Sequence, residues 1–134
     1  MRLSRLTLPA AGLAADFDLG ALATEGAFTS LPDVGAELYP WIPVRMIMRN
    51  RFDNIGLARR VAEPWIVFHG RGDSEIPFAH GEAIALVGPT ARLVPLDAEH
   101  DDGVVADRQT ALRELMALAA GLSKPIEPQG TQRR

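Results

Sequence analysis

The chain has 134 residues, 47% hydrophobic and 23% charged, with a formal net charge of −3 at pH 7 and no cysteine. Such a composition can build a core and excludes wholesale disorder, while the missing cysteines exclude a disulfide framework, a thiolate nucleophile and cysteine-based metal sites. The mild acidity leaves no electrostatic footprint for nucleic acid, and no apolar run is long enough for a transmembrane segment, so the expectation is one domain in the cytoplasm.

Residues 1–20 are rich in alanine, leucine and glycine with little clean periodicity, and a short helix fits around residues 13–17. Residues 21–28 alternate loosely, as a strand does, and run into Thr29-Ser30. Ser30 then stands as the N-cap, and Pro32 in the first turn, of a helix over residues 33–38 that Pro40 stops. After Tyr39, Trp41 and Ile42, residues 44–51 set Val44, Met46, Ile47 and Met48 against Arg45, Arg49 and Arg51, the pattern of a short amphipathic helix. Its arginines form either a basic face for an anionic group or an ordinary solvated face. The apolar side chains of this stretch belong either to a cap over a pocket or to the core. Asp53 can cap another short helix, over residues 54–61.

The second half reads more cleanly. Residues 64–69, Pro-Trp-Ile-Val-Phe-His, form a continuous apolar run dense in β-branched and aromatic residues, the signature of a parallel strand buried on both faces. A turn-rich loop over residues 70–77 leads to a helix over residues 78–87, closed by Gly88-Pro89. A second strand follows at residues 91–96. Residues 109–122 place Leu112, Leu115, Met116, Leu118 and Ala119 on one helical stripe. Residues 123–134 are polar, broken by proline and expected to be a disordered tail. Strand–helix–strand–helix order argues α/β architecture.

The chemistry lies in residues 64–102. One strand ends in His69-Gly70-Arg71-Gly72-Asp73 and the next just before Glu99-His100-Asp101-Asp102. Loops at the carboxyl ends of parallel strands converge on the ligand crevice, so Asp73 and His100 meet at one edge of the sheet. A carboxylate there accepts the imidazole Nδ1–H, fixing the tautomer and stabilising an imidazolium. Gly70 and Gly72 let the loop turn tightly enough to present Asp73. Plainer readings stand beside this one: Asp73 as a solvated turn carboxylate, and His100 as an exposed histidine in an acidic turn. His69 reads as a structural residue closing its strand, and His80 as a helix-surface residue. A metal site drawn from His69, Asp73, His100 and Asp102 fits no ligand spacing.

Residues 64–77, followed by a helix, a strand and a histidine, resemble the C-terminal part of an α/β-hydrolase. Residues 28–53, with their Tyr-Pro step and closing Arg-Phe-Asp, resemble the Bem46/ABHD13-like branch of serine hydrolases. The resemblance is strongest over residues 19–103. It implies an α/β fold class: a partial α/β-hydrolase fold of about three mostly parallel strands with flanking helices, filling residues 1–122. It further implies Asp73 as the triad acid, His100 as the general base, no cofactor, and a small acyl substrate (ester, thioester or amide) for the intact parent.

The same family needs a Gly-x-Ser-x-Gly nucleophile elbow and an oxyanion segment. The serines are Ser4, Ser30, Ser74 and Ser123, none flanked by glycines at that spacing. The expectation is therefore a fragment or remnant without its nucleophile, whose narrow sheet leaves an unpaired apolar edge open to self-association. The competing class is a non-catalytic α/β module that binds a partner chain through that edge and the apolar patch of residues 39–48.

Overall fold

Six successive residues, Trp65–Gly70, form the strand at the centre of the molecule, and all six are buried. The computed structural model describes residues 2–4, 20–49, 52–100 and 103–122, the first three as backbone. We number its strands β1 (Arg2–Ser4), β2 (Leu22–Glu25), β3 (Trp65–Gly70) and β4 (Ala91–Leu96), and its helices α1 (Leu31–Leu38), α2 (Val44–Ile47), α3 (Asn54–Ala58), α4 (Phe78–Val87), α5 (Gly103–Ala106) and α6 (Arg108–Leu122). The sheet runs β1-β2-β3-β4 and every neighbouring pair is parallel. The short strand β1 makes it four strands wide rather than the expected three or so.

Side chains alternate across a pleated strand, and β3 uses both faces. Trp65 and Val67 join Leu22, Val61 and Ile84 in one core, against which Ile55, Leu57 and Val87 of α3 and α4 pack. Ile66 and Phe68 join Ala23, Val94, Leu96 and Ala111 in the other, under Leu115 and Leu118 of α6. The result is helix–sheet–helix layering, with each large apolar side chain removed from water adding about 1.5–3 kcal/mol before entropy is charged against it. One polar bond lies inside the first layer. The indole Nε1–H of Trp65 donates to Thr24 Oγ1 at 2.9 Å, both side chains being buried.

Most predicted elements form, with physical reasons where they differ. Ser30 caps α1, accepting from the Asp33 N–H, with proline in the first turn as expected. Asp53 caps α3 by accepting from Gly56 N–H, and that helix ends at Ala58. The strand expected over residues 21–28 stops at Glu25, because Gly26 takes a left-handed φ of 62° that turns the chain out of the sheet. The amphipathic helix expected over residues 44–51 is one turn, Val44–Ile47. In α6 the buried stripe is Ala111, Leu115 and Leu118, an i, i+4, i+7 row, whereas Leu112 and Met116 face water. Leu115 and Leu118 are thus where the sequence placed them, while Leu112, Met116 and Ala119 of the expected stripe are exposed and Ala111 takes their place, because leucine and methionine outweigh alanine by hydrophobicity alone. The helix α5 was not anticipated. The helix expected over residues 13–17 and the tail over residues 123–134 lie outside the described residues.

Candidate active site

β3 and β4 both end at the same edge of the sheet, and the loops leaving them are laced together. Arg71 N–H donates to Leu96 O at 3.0 Å, and Gly72 N–H donates to Ala98 O at 3.1 Å. Gly70 lets these backbones close. A Cβ there would sit 2.5 Å from Ala98 O and 2.6 Å from Glu99 O, so glycine is required for close approach. The tight turn expected at Gly70 and Gly72 is achieved without a left-handed backbone; among the described residues Gly26 is the glycine with a positive φ.

The lacing brings Asp73 to His100. His100 Nδ1 lies 2.8 Å from Asp73 Oδ2. A carboxylate offers no donor, so Nδ1–H donates and Nε2 is the basic nitrogen of the neutral ring. The other carboxylate oxygen is anchored separately: Oδ1 accepts from the N–H groups of Glu75 at 2.9 Å and Ile76 at 2.7 Å. The Asp73 side chain is 1% exposed and that of His100 25%. The reading of Asp73 as a solvated turn residue is therefore set aside by its burial. Glu75 Oε2 stands 3.6 Å from His100 Nε2, on the outer side.

Three residues that sequence reasoning missed fix the ring and its loop. Gly26, at the end of β2, lies against the imidazole: a Cβ at that position would be 3.5 Å from His100 Cε1. Glu25 Oε1 accepts the N–H of Val104 at 2.8 Å, tying the first turn of α5 to β2. Gly103 permits that approach, because a Cβ there would fall 2.6 Å from Glu25 Oε1. The signal for Gly26 was a glycine closing a strand. The Glu25–Val104 bond joins positions 79 apart and left no local trace.

The remaining histidines are both buried. His69 is structural, as expected, with Nε2 2.8 Å from Ile76 O. Its pKa is pushed below the usual histidine value, mainly by burial. His80 corrects the sequence reading: it is 3% exposed, not a surface residue. Its Nδ1 lies 2.8 Å from Thr29 Oγ1 and accepts from Thr29 N–H at 3.2 Å, while its Nε2 stands 3.3 Å from Glu37 Oε2. Of the four residues from which a metal site could be composed, His69 spends its Nε2–H on a carbonyl and Asp102 lies outside the described residues. Among the described residues no cluster of three or more histidines or carboxylates is placed to hold a metal ion.

A cavity of about 350 Å³ lies elsewhere, lined by Thr29, Ser30, Pro32, Asp33, Arg45, Asp53 and Ile55. Arg45 faces Asp33 at 2.9 Å, so the basic face expected from the arginines of residues 44–51 is partly neutralised. The Ser30 hydroxyl holds the Asp33 carboxyl below the usual range, with Arg45 and Thr29 adding to it against an opposing effect of burial. Trp41 and Met46 are 76% and 88% exposed, which removes the core reading for those two side chains, whereas Val44 is buried and Met48 half-buried.

Of the serines, Ser30 is spent on helix capping and its Oγ donates to Asp33 Oδ2 at 2.6 Å. Ser74 is exposed beside Asp73, and Ser4 closes the edge strand β1. No helix among the described residues is long and apolar enough to cross a membrane.

No protein-family model matches the chain. Among curated proteins it is similar to the uncharacterised protein Rv2307c of Mycobacterium tuberculosis strain H37Rv, 31% identical over 105 residues, and equally to its counterpart in strain CDC 1551. The matched segment is 77% of this chain but 37% of the relative, so the chain spans little more than a third of the curated proteins it matches. Among solved structures it is similar to the Pyrococcus horikoshii acylaminoacyl peptidase (TM-score 0.68, 12% identity, 92% of this chain and 23% of that one). It is also similar to the esterase domain of a Rhodothermus marinus protein (TM-score 0.60, 17% identity, 84% and 56%). A Mycobacterium tuberculosis puromycin-hydrolysing peptidase gives a TM-score of 0.62 at 18% identity, covering 95% of this chain and 22% of that one. These neighbours are α/β-hydrolases, and the likeness is one of fold: the chain has a partial α/β-hydrolase fold.

Proposed function

We propose that this chain carries the acid and the general base of a serine-hydrolase site for ester, thioester or amide substrates, and does not complete that site alone. The observation that supports it is the 2.8 Å bond from His100 Nδ1 to the buried Asp73 Oδ2. In this reading His100 Nε2 takes the proton of an attacking serine hydroxyl and returns it to the leaving group, while Asp73 keeps the tautomer and stabilises the imidazolium between the two steps. An acyl-enzyme forms on that serine and water releases it. The nucleophile must come from polypeptide other than residues 1–134, which hold no glycine-flanked serine. The resemblance of residues 28–53 to Bem46/ABHD13-like hydrolases supports the same class.

The test is a chimera in which residues of this chain replace the matched segment of the mycobacterial relative. With the intact relative as the labelled reference, a fluorophosphonate probe should label the chimera, and His100→Ala should abolish labelling. Labelling indifferent to both His100→Ala and Asp73→Asn would refute the acid–base assignment. The purified 134-residue chain should remain unlabelled. A second reading rests on the exposed apolar side chains Tyr39, Trp41, Met46 and Ile47, at 51%, 76%, 88% and 65% exposure. Side chains of this kind in one patch mark interaction surfaces, and a protein whose association in solution is lost in Trp41→Ser would favour that reading.

A further inference from the structure

One buried titratable group touches the Asp73 loop and has no part in the acid–base reading. His69 stands in β3, its side chain fully enclosed. The Phe78 ring meets it edge-on at 5.6 Å. On another side α4 rides directly on the imidazole, where a Cβ at Gly81 would fall 2.6 Å from Nδ1. Nε2 lies 2.8 Å from Ile76 O, and a carbonyl can only accept, so Nε2 carries the proton. Nδ1 is then the bare nitrogen of a neutral ring, and it is buried without a hydrogen-bond partner. A buried, unpaired nitrogen is costly. An apolar side chain would fill the same space without it, so the ring's other nitrogen must supply what a filler could not.

What Nε2–H supplies is the fixing of Ile76. That residue donates its N–H to Asp73 Oδ1 at 2.7 Å and gives its carbonyl to His69, so both of its backbone groups are held. The proline that follows already disfavours helical backbone at Ile76. Nε2 also stands 3.6 Å from Asp73 Oδ2, beyond hydrogen-bond reach but with its positive edge toward the carboxylate.

We propose that His69 is a positioning residue for Asp73: by holding the Ile76 carbonyl it keeps the Glu75 and Ile76 N–H groups aimed at Oδ1, which leaves Oδ2 turned to His100. Asp73 is gripped at one oxygen and presents the other. The inference rests on the acid–base reading only for its purpose; the grip itself does not depend on it.

The experiment compares the full chain with His69→Leu, His69→Gln and Gly81→Ala by amide hydrogen exchange at Glu75 and Ile76 and by the NMR resonance of His100 Nδ1–H. Leu fills the space but donates nothing; Gln restores an N–H donor; Ala at position 81 favours the helix yet displaces the ring. In His69→Leu, protection at Glu75 and Ile76 should fall on the order of tenfold, the equivalent of one hydrogen bond, and the His100 resonance should broaden. His69→Gln should recover most of both. Gly81→Ala should fall between wild type and His69→Leu. Unchanged protection at both amides in a folded His69→Leu overturns the proposal. If that variant does not fold, unchanged protection in Gly81→Ala overturns it instead. A wild-type His100 resonance that ignores Asp73→Asn would fault the acid–base reading, whereas the amide readout tests the grip regardless.

Discussion

Gly70→Ala concentrates the geometry of the site into one methyl group. The added Cβ would meet Ala98 O at 2.5 Å and Glu99 O at 2.6 Å, both main-chain atoms that no rotamer change can withdraw. Restoring an ordinary contact of 3.4 Å needs a displacement of about 0.9 Å of the loop that carries His100. Passed on to the ring, that shift would take the 2.8 Å bond to Asp73 past hydrogen-bond range. Overpacking costs about 1–3 kcal/mol and a lost bond to a buried carboxylate about 1.5–3 kcal/mol. Because relaxation spends one to spare the other, the expected loss is about 2–4 kcal/mol rather than their full sum. Gly72→Ala is the matched control. Its Cβ would lie 3.3 Å from Ala98 O, a shortfall of only about a tenth of an ångström, and the expected cost is under about 1 kcal/mol. Urea unfolding of the two variants beside wild type, with slopes compared to confirm a common unfolded state, gives the difference. Equal midpoints for Gly70→Ala and wild type would refute the claim that close backbone approach sets the site.

Three further outcomes follow from the same geometry. Gly121→Ala, in the last turn of α6 with nothing within 4 Å of the added methyl, should stabilise by about 0.5–1 kcal/mol in the same unfolding assay. Thr24→Val keeps the shape but strands the buried Trp65 indole N–H, and should cost about 1–3 kcal/mol, read from the urea midpoint. Because burial lowers the His69 pKa in the folded chain below its ordinary value of 6.5, the unfolded state binds the extra proton. The contribution is therefore complete above about pH 6.5 and is lost as pH falls from there through the folded value. Stability measured from pH 7.5 down to 5 should decline, and His69→Gln should flatten that limb.

Much of the fold was legible because its strongest signals are local. An unbroken apolar run marked β3, and Ser30 and Asp53 announced their helices by the chemistry of capping. Pairing Asp73 with His100 needed one inference beyond periodicity, that parallel strands deliver their loops to a common edge, and the geometry agrees with it. What stayed hidden is long-range. Glu25 reaches Val104 across the end of the sheet. Thr29 occupies the nitrogen of His80 from 51 positions away, so a histidine that looked like surface is enclosed. The α6 stripe was read only in part for a different reason: Leu115 and Leu118 pack on the core as expected, but the small Ala111 completes the row, and its hydrophobicity is weaker than that of the exposed Leu112 and Met116.

The central claim is that His100 is held as a base by Asp73, and the nitrogen resonances of its imidazole read that state directly. The expected result is a neutral ring protonated at Nδ1, with an Nδ1–H resonance shifted downfield and protected from water, both lost in Asp73→Asn. A ring protonated at Nε2 in the wild-type chain, or one indifferent to Asp73→Asn, would contradict it.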